Sequence, residues 1–277
     1  MRALGALAED AGPGQRRIAE ALELGELDAA DHTELFSFAL YPYASVYLGA
    51  EGMLGGEARD RIAGFWRALG LVPPDEPDHL AVMLALYAQL VERAEAEEDA
   101  LRRAAIANAR AAFFWEHLAS WLPIYLRKAR TLARGAYIRW AELLAAALEA
   151  EAAIVPPPPA LPLHLRETPA FAEGADADAF VSALLVPART GFILVRADLR
   201  RVAESMGIAL RQGERRYALD ALLAQDRPAV LRELRVLALE AAASHAELAA
   251  LWVEIGPAWE RRARGTAAWL ARRSSGK

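Results

Sequence analysis

Apolar residues recur every three or four positions along most of the chain, the spacing with which one face of an α-helix meets a core. No long segment alternates apolar and polar residues, which is the pattern of a half-buried β-strand. The pattern therefore predicts an all-α fold. One short apolar segment, GFILV at 191–195, is the single place where the pattern also admits a strand.

Helix boundaries follow from the caps, glycines and prolines between the periodic segments. The DHTE sequence at 31–34 is typical of a capping box with Asp31 as the cap. Asp78 is expected to cap a later helix, because an Asp side chain accepts hydrogen bonds from free backbone N–H groups. Pro123 is expected to end or kink another helix. The predicted helices are 14–26, 31–48, 56–70, 78–94, 97–119, 123–153, 176–190, 198–206, 217–225, 228–255 and 257–272.

Residues 154–175 interrupt the helical pattern with six of the chain's 15 prolines. Proline has no N–H to donate and favours an extended polyproline conformation. We therefore expect a linker or a wrapping arm, called here the proline-rich arm. It would separate an N-terminal helical part at 1–153 from a C-terminal helical part at 176–277.

Composition narrows the class of protein. The 277 residues carry a net charge of −5 and are 55% hydrophobic, which fits one or two folded domains and offers no basic excess for nucleic-acid binding. Cysteine is absent, which excludes disulfides, iron–sulfur ligation and cysteine zinc sites. No apolar run is long enough to span a bilayer, and no secretory signal is recognised. We expect a cytoplasmic protein without stable membrane insertion.

The sequence contains no arrangement typical of catalysis or of a bound cofactor. Its five histidines form no pair with metal-ligand spacing. Glycine loops for phosphate and nucleophile elbows are also missing. We therefore predict a protein that is not an enzyme and that holds no metal or cofactor. A helical enzyme that uses Asp78 and His79 as an acid–base pair is the less favoured alternative.

Two polar clusters lie in otherwise apolar surroundings. PPDEPDH at 73–79 places three carboxylates and a histidine at the start of an apolar helix. FFWEHLASWLPIY at 113–125 carries aromatic residues at helical spacing, and its polar atoms need partners when they are buried. His117 and Trp121 are therefore either satisfied core side chains or part of a binding wall.

Together these clusters resemble the TorD/DmsD/NarJ family of redox-enzyme maturation chaperones. The matching residues are Pro77, Asp78 and His79 of the family's PDH turn, and His117, Leu118, Trp121 and Pro123 of its HLxxWxP segment. The segment YPYASVYLGAEGMLGG at 41–56 resembles the family's early aromatic helix and glycine loop, and the resemblance extends over about residues 31–255. One position departs from it, since Met83 stands where family members commonly have Glu.

The resemblance implies a bundle of roughly ten helices in two sub-bundles joined by a hinge, with the proline-rich arm and a helical C-terminal extension. It implies a cytoplasmic chaperone, monomeric or homodimeric, for assembly of a molybdopterin oxidoreductase of the dimethyl sulfoxide reductase type. Its partner would be the apo precursor of the catalytic subunit, the twin-arginine signal peptide of that subunit, or both, held until the cofactor is inserted.

A twin-arginine peptide has two guanidinium groups and an apolar stretch, so its receptor needs carboxylates beside an aromatic-lined groove. The candidate binding residues are Tyr43, Tyr47, Asp75, Glu76, Asp78, His79, Glu116, His117, Trp121 and Tyr125. The alternative interpretation is a non-catalytic adaptor or subunit that stays bound to a redox complex.

Overall fold

The structure is a computed structural model that describes residues 1–171 and 177–274, without the side chains of residues 177 and 178. The protein is 70% helical, and no β-strand occurs among the described residues. The all-α prediction is confirmed. Segment 191–195 is buried but does not pair as a strand. The predicted arm residues 172–175, together with residues 176 and 275–277 of the predicted C-terminal part, lie outside the description.

The described part of the chain contains fifteen α-helices and two π-helices. The α-helices are α1 (Arg2–Ala6), α2 (Pro13–Ala21), α3 (Ala29–His32), α4 (Ala44–Leu48), α5 (Gly56–Ala68), α6 (Leu80–Ala96), α7 (Ala100–Phe113), α8 (Leu122–Leu132), α9 (Ala136–Ile154), α10 (Leu163–Glu167), α11 (Ala177–Leu184), α12 (Pro187–Thr190), α13 (Arg196–Ser205), α14 (Arg215–Ala246) and α15 (Ile255–Ser274). The π-helices are Thr33–Ala39 and Phe114–Ala119. The number exceeds the ten or so expected because several predicted helices are split.

The predicted helix 31–48 is wrong as a continuous element. Its true cap is Asp28, whose side chain accepts the Ala30 N–H at 2.6 Å, and not Asp31. The first helical turn passes directly into a π-helix, and the backbone becomes extended at Leu40. A second helix, α4, then starts after a short non-helical connection.

Breaks inside other predicted helices have local causes. The predicted helix 123–153 is two helices, because Gly135 adopts a φ of 50° between α8 and α9. The predicted helices 217–225 and 228–255 are joined in α14, and the backbone leaves helical geometry at Asp226, in the predicted gap between them and just before Pro228. The break expected at Pro123 is confirmed, since this proline occupies the first turn of α8, where proline is accepted.

The chain forms two compact units, each described by itself. Unit 1 consists of Met1–Ser45 and Leu54–His164, and unit 2 consists of Val46–Met53 and Leu165–Lys277. A short early segment therefore belongs with residues that come far later in the chain. The hinge and sub-bundles implied by the resemblance stay predictions, as does the division at 154–175.

Aromatic rings from separate elements form the centre of unit 1. Phe36 of the first π-helix meets Tyr137 and Trp140 of α9 edge to face, with ring centroids 5.3 and 5.2 Å apart. The indole N–H of Trp140 donates to the Leu4 carbonyl at 2.8 Å and so ties α1 to α9. These contacts hold the π-helix, and the segment that follows it, in place.

Unit 2 is built around the long helices α14 and α15. Gly191, which follows α12, has a φ of +78°, and a Cβ there would overlap the backbone nitrogen of Ala263 in α15. Both the positive φ and the lack of space for a Cβ require glycine at this position. Arg262 of α15 donates to the carbonyls of Leu165 and Thr168, so the end of the proline-rich arm is fastened to this helix.

Candidate functional site

The PDH turn is held by a short antiparallel pairing with the segment before α4. Leu80 N–H donates to the Pro42 carbonyl at 2.7 Å, and Ala44 N–H donates to the Asp78 carbonyl at 3.0 Å. Tyr43 and His79 lie opposite each other in this pairing, with their rings 4.8 Å apart. Two distant parts of the sequence thus meet at the start of α6.

The cap of α6 is His79 and not Asp78, so the predicted cap is wrong by one residue. The Nδ1 atom of His79 accepts the Ala81 N–H at 3.3 Å. Burial lowers the pKa of His79, although the neighbouring carboxylates of Glu76, Glu9 and Asp78 act in the opposite direction. A neutral ring with a free Nδ1 lone pair is what this cap requires.

Asp78 has a different structural role from the predicted one. It is 2% exposed, and its carboxylate accepts the backbone N–H of Ser45, which is itself fully buried, at 3.2 Å. The side chain therefore fastens α4 to the PDH turn. A carboxylate used in this way is not available to an incoming ligand.

The two acids before the turn are exposed. Glu76 accepts a hydrogen bond from the Tyr43 hydroxyl at 3.0 Å, and burial together with this bond raises the pKa of Tyr43 to about 12. Arg59 donates to the backbone carbonyl of Asp75 at 2.8 Å and leaves the Asp75 carboxylate facing solvent. Tyr43, Asp75 and Glu76 thus form a small acidic surface with one aromatic ring.

The second motif falls on the π-helix Phe114–Ala119 and the start of α8. Trp121 is fully buried, and its indole N–H donates to the His117 carbonyl at 2.8 Å. Its ring packs edge on against Tyr125, which is also fully buried and donates to the Leu40 carbonyl at 3.2 Å. Both side chains are core residues with satisfied polar atoms.

Glu116 and His117 are engaged by the proline-rich arm. The Glu116 carboxylate accepts the Leu163 N–H at 2.7 Å. His117 Nδ1 lies 3.1 Å from His164 Nε2, so one ring donates and the other accepts. Burial, together with smaller effects of the nearby His164 and Arg61, lowers the pKa of His117 to about 3.

The ten candidates therefore do not form one site. Tyr43, Asp75 and Glu76 share an exposed surface, whereas Glu116 and His117 lie under the arm. Tyr47 is buried and belongs to unit 2. Met83, the position of the departure from the family pattern, is fully buried in α6, so an apolar side chain there suits its surroundings.

Two exposed aromatic residues near Tyr43 in the sequence were not predicted from the sequence. Phe38 and Tyr41 are 67% and 45% exposed, and both lie within five residues of Tyr43. A continuous helix was expected here, and the π-helix changes which side of the element each residue occupies. We call Phe38, Tyr41, Tyr43, Asp75 and Glu76 the acidic–aromatic surface.

A cleft of about 750 Å³ lies elsewhere in unit 1. Its lining residues are Arg16, Glu20, Glu23, Gly25, Glu26, Leu27, Asp28, Ala29 and Arg139. None of the ten candidates belongs to it. Among the described residues, no group of three or more histidine and carboxylate side chains is arranged to hold a metal ion.

Comparison with known proteins gives the class. Residues 3–126 match the family model described as nitrate reductase delta subunit. This region contains both the PDH turn and the HLxxWxP segment. The resemblance to the TorD/DmsD/NarJ family is thus confirmed over residues 3–126.

Particular relatives agree with this class. The chain is 36% identical over 110 residues to the chaperone protein TorD of two strains of Vibrio vulnificus, which covers 36% of this chain and 51% of each relative. It is 32% identical over 111 residues to the chaperone protein TorD of Photobacterium profundum, with 37% and 51% covered. The chain spans about half the length of the curated relatives it matches. No solved structure gives a significant match.

Within residues 1–171 and 177–274, no helix has both the length and the apolar character that crossing a bilayer requires.

Proposed function

We propose that this protein is a cytoplasmic, non-catalytic chaperone for the assembly of a molybdopterin oxidoreductase of the dimethyl sulfoxide reductase type. It binds the precursor of the catalytic subunit, through its twin-arginine signal peptide, until the cofactor is inserted. The family match over residues 3–126 and the relatives named as TorD chaperones support this class. The signal peptide, as the bound part of the client, is our extension.

The observation that carries the proposal is the acidic–aromatic surface. Asp75 and Glu76 present exposed carboxylates, Glu76 binds the Tyr43 hydroxyl, and Phe38 and Tyr41, close to Tyr43 in the sequence, present exposed aromatic rings. Carboxylates are the partners that guanidinium groups prefer, and aromatic side chains bind both cations and apolar segments. A segment with two arginines followed by apolar residues matches both halves of this surface.

An acid–base enzyme is not supported by the geometry of Asp78 and His79. The Asp78 carboxylate accepts the Ser45 N–H, and the His79 ring accepts the Ala81 N–H. Both side chains are buried, and each accepts a hydrogen bond from a backbone N–H group. A catalytic pair needs a group free to take or give a proton at a substrate.

The proposal is tested by titrating a synthetic twin-arginine signal peptide of a molybdopterin oxidoreductase into the protein by calorimetry. Asp75→Asn with Glu76→Gln should weaken binding about 2- to 10-fold at low salt, because two exposed charge contacts are lost. The difference should shrink at about 0.15 M salt, where exposed charges are screened.

The matched control is Glu95→Gln with Glu98→Gln, which removes the same charge from two exposed acids at the end of α6 and beyond it. This control should bind as the wild type does. Equal affinity of the wild type and the Asp75/Glu76 variant at both salt concentrations would rule out the acidic–aromatic surface.

A second experiment distinguishes a chaperone from the alternative, an adaptor that stays bound to a redox complex. A chaperone should co-purify with the cofactor-free catalytic subunit and dissociate once that subunit is loaded. Stable association with the mature, cofactor-loaded enzyme would identify an adaptor instead.

A further inference from the structure

Part of the predicted binding motif is covered by the protein's own chain. Two residues at the start of α10 make this contact. Leu163 N–H donates to the Glu116 carboxylate at 2.7 Å, and His164 Nε2 lies 3.1 Å from His117 Nδ1. His164 is 4% exposed and His117 is 7% exposed, so the histidine pair is closed to solvent, whereas Glu116 and Leu163 are partly buried. We call this pair of interactions the arm contact.

The arm contact uses chemistry that another peptide could supply. The Glu116 carboxylate binds a backbone N–H, a group present in every residue except proline. The His117 imidazole binds a neighbouring side-chain nitrogen. Hydrogen bonds from a neutral N–H to a carboxylate are among the stronger ones in proteins. An incoming extended segment with a polar side chain next to an apolar residue could make both interactions.

The arm next to this contact is lightly held. Pro156, Pro157 and Pro159 are exposed, and burial resumes only at Pro162. A proline-rich segment is stiff and already extended, so it loses little conformational entropy when it is docked or lifted. Because the arm belongs to the same chain, its local concentration at Glu116 and His117 stays high. Even a weak contact of the arm can therefore exclude a free peptide from this surface.

We propose that residues 161–164 act as a built-in competitor at Glu116 and His117, and that a client segment binds there only when the arm is displaced. This inference rests on the proposed function and adds regulation to it. The Glu116–His117 surface is then a second client contact, hidden until the acidic–aromatic surface has captured the precursor.

The first test uses the arm itself as the probe. A fluorescent peptide of residues 155–171 is titrated into full-length protein carrying Leu163→Pro with His164→Ala. Leu163 is the first residue of α10, where proline is tolerated, and the proline removes the backbone N–H that Glu116 accepts together with the leucine side chain. This release variant should bind the peptide about tenfold more tightly than the wild type, whose surface is occupied.

Three further variants make the result specific. Adding Glu116→Ala to the release variant should abolish peptide binding, whereas adding Glu98→Ala, an exposed acid elsewhere, should not. Leu163→Ala alone keeps the N–H and should behave as the wild type. The proposal is overturned if the release variant does not bind the peptide, or if Glu116→Ala leaves peptide binding unchanged.

The second test needs no substitution. Hydrogen exchange of segment 161–165 is followed in the wild type while the twin-arginine peptide is added. Faster exchange on binding means that the arm has been displaced. Peptide binding without any change in exchange would refute the built-in competitor and leave the proposed function standing. Absence of binding to both the wild type and the release variant would refute the proposed function and the competitor together.

Discussion

Trp121 shows how a motif residue can be structural. Its side chain is fully buried, and its N–H is paired with the His117 carbonyl. Trp121→Ala should therefore lower the free energy of unfolding by about 3–5 kcal/mol, because a large cavity opens and a carbonyl loses its donor. Urea denaturation followed by circular dichroism measures the loss.

The milder Trp121→Phe variant serves as a control, since it keeps a ring in the core and should lose less stability. A Trp121→Ala protein that unfolds like the wild type but binds the twin-arginine peptide poorly would contradict the core assignment. That result would make Trp121 a wall of a binding groove.

Asp78 and His79 have separate structural roles, so their substitutions should lower the free energy of unfolding by different amounts. His79→Ala removes a cap and should cost about 0.5–2 kcal/mol of stability. Asp78→Ala leaves the Ser45 N–H unpaired in the core and should cost about 1–3 kcal/mol. Asp78→Asn keeps an acceptor oxygen and should recover most of the loss.

Thermal and urea melts of the three variants provide the measurement. If Asp78→Ala were the least damaging of them, the role of the Asp78 carboxylate in holding the Ser45 N–H would be wrong.

At the residue scale, the sequence located the motifs but not the roles of their side chains. Asp78 fits the N-cap preference, yet His79 takes that position because the pairing with Pro42 and Ala44 turns the Asp78 side chain toward Ser45. Such pairing between distant segments leaves no trace in local propensity. Phe38 and Tyr41 were missed for a similar reason, since their exposure depends on tertiary packing.

At the scale of elements, the π-helices are what periodicity could not reveal. A π-turn inserts one residue into a helix and rotates every later side chain, while the apolar spacing on each side remains helical. The second π-helix, Phe114–Ala119, contains the candidates Glu116 and His117, and the first, Thr33–Ala39, ends shortly before Tyr43. Proline signals were more informative, since Pro123 marked a true helix start.

The arm contact should depend on pH. His117 has a pKa of about 3 in the folded protein against an ordinary value of 6.5, because burial and the facing groups His164 and Arg61 disfavour its charged form. Glu57 lies close enough to influence His164 as well. The folded pKa is the lower one, so protons favour the open or unfolded state. The contribution of His117 to the free energy of unfolding is therefore fully present above about pH 6.5 and is lost as the pH drops toward 3.

Between pH 6.5 and 5 the loss through His117 should reach about 2 kcal/mol. His117→Gln, which cannot titrate, should lack this part of the pH dependence and keep only the parts due to His32 and His79, whose pKa values are also lowered. Urea melts at three pH values compare the two proteins. Parallel pH profiles would argue against His117 as the titrating group.

At the scale of the whole molecule, the two units are interleaved along the chain. Val46, Tyr47 and Leu48 are buried in unit 2, although they precede most of unit 1. A fragment of residues 165–277 lacks these apolar side chains, each worth about 1.5–3 kcal/mol when buried. It should not unfold cooperatively by itself.

Joining residues 44–53 to that fragment through a flexible linker should restore a cooperative thermal transition, as measured by circular dichroism. A scrambled version of the ten residues, joined in the same way, is the control. A sharp transition in the bare fragment would show that Val46–Met53 is dispensable for unit 2.

The sequence predicted the fold class correctly, and its resemblance to the TorD/DmsD/NarJ family agrees with the match over residues 3–126, because both rest on repeated spacing and on short motifs. It did not reveal that Val46–Met53 belongs to unit 2. Its first residues, Val46, Tyr47 and Leu48, were predicted to lie in one apolar helix with Phe36 and Leu40, and nothing local distinguishes their partners. The predicted boundaries at 153 and 176 stay a hypothesis about the arm.

This interleaving has a consequence for synthesis on the ribosome. Val46–Met53 emerges early, but its partners begin at Leu165, so roughly 110 residues must still be translated. At ordinary rates of synthesis that takes roughly 5–20 s. During this interval a nascent chain exposes Val46, Tyr47 and Leu48 to the cell. A protein proposed to protect an unfinished enzyme therefore passes through its own unprotected stage while it is being made.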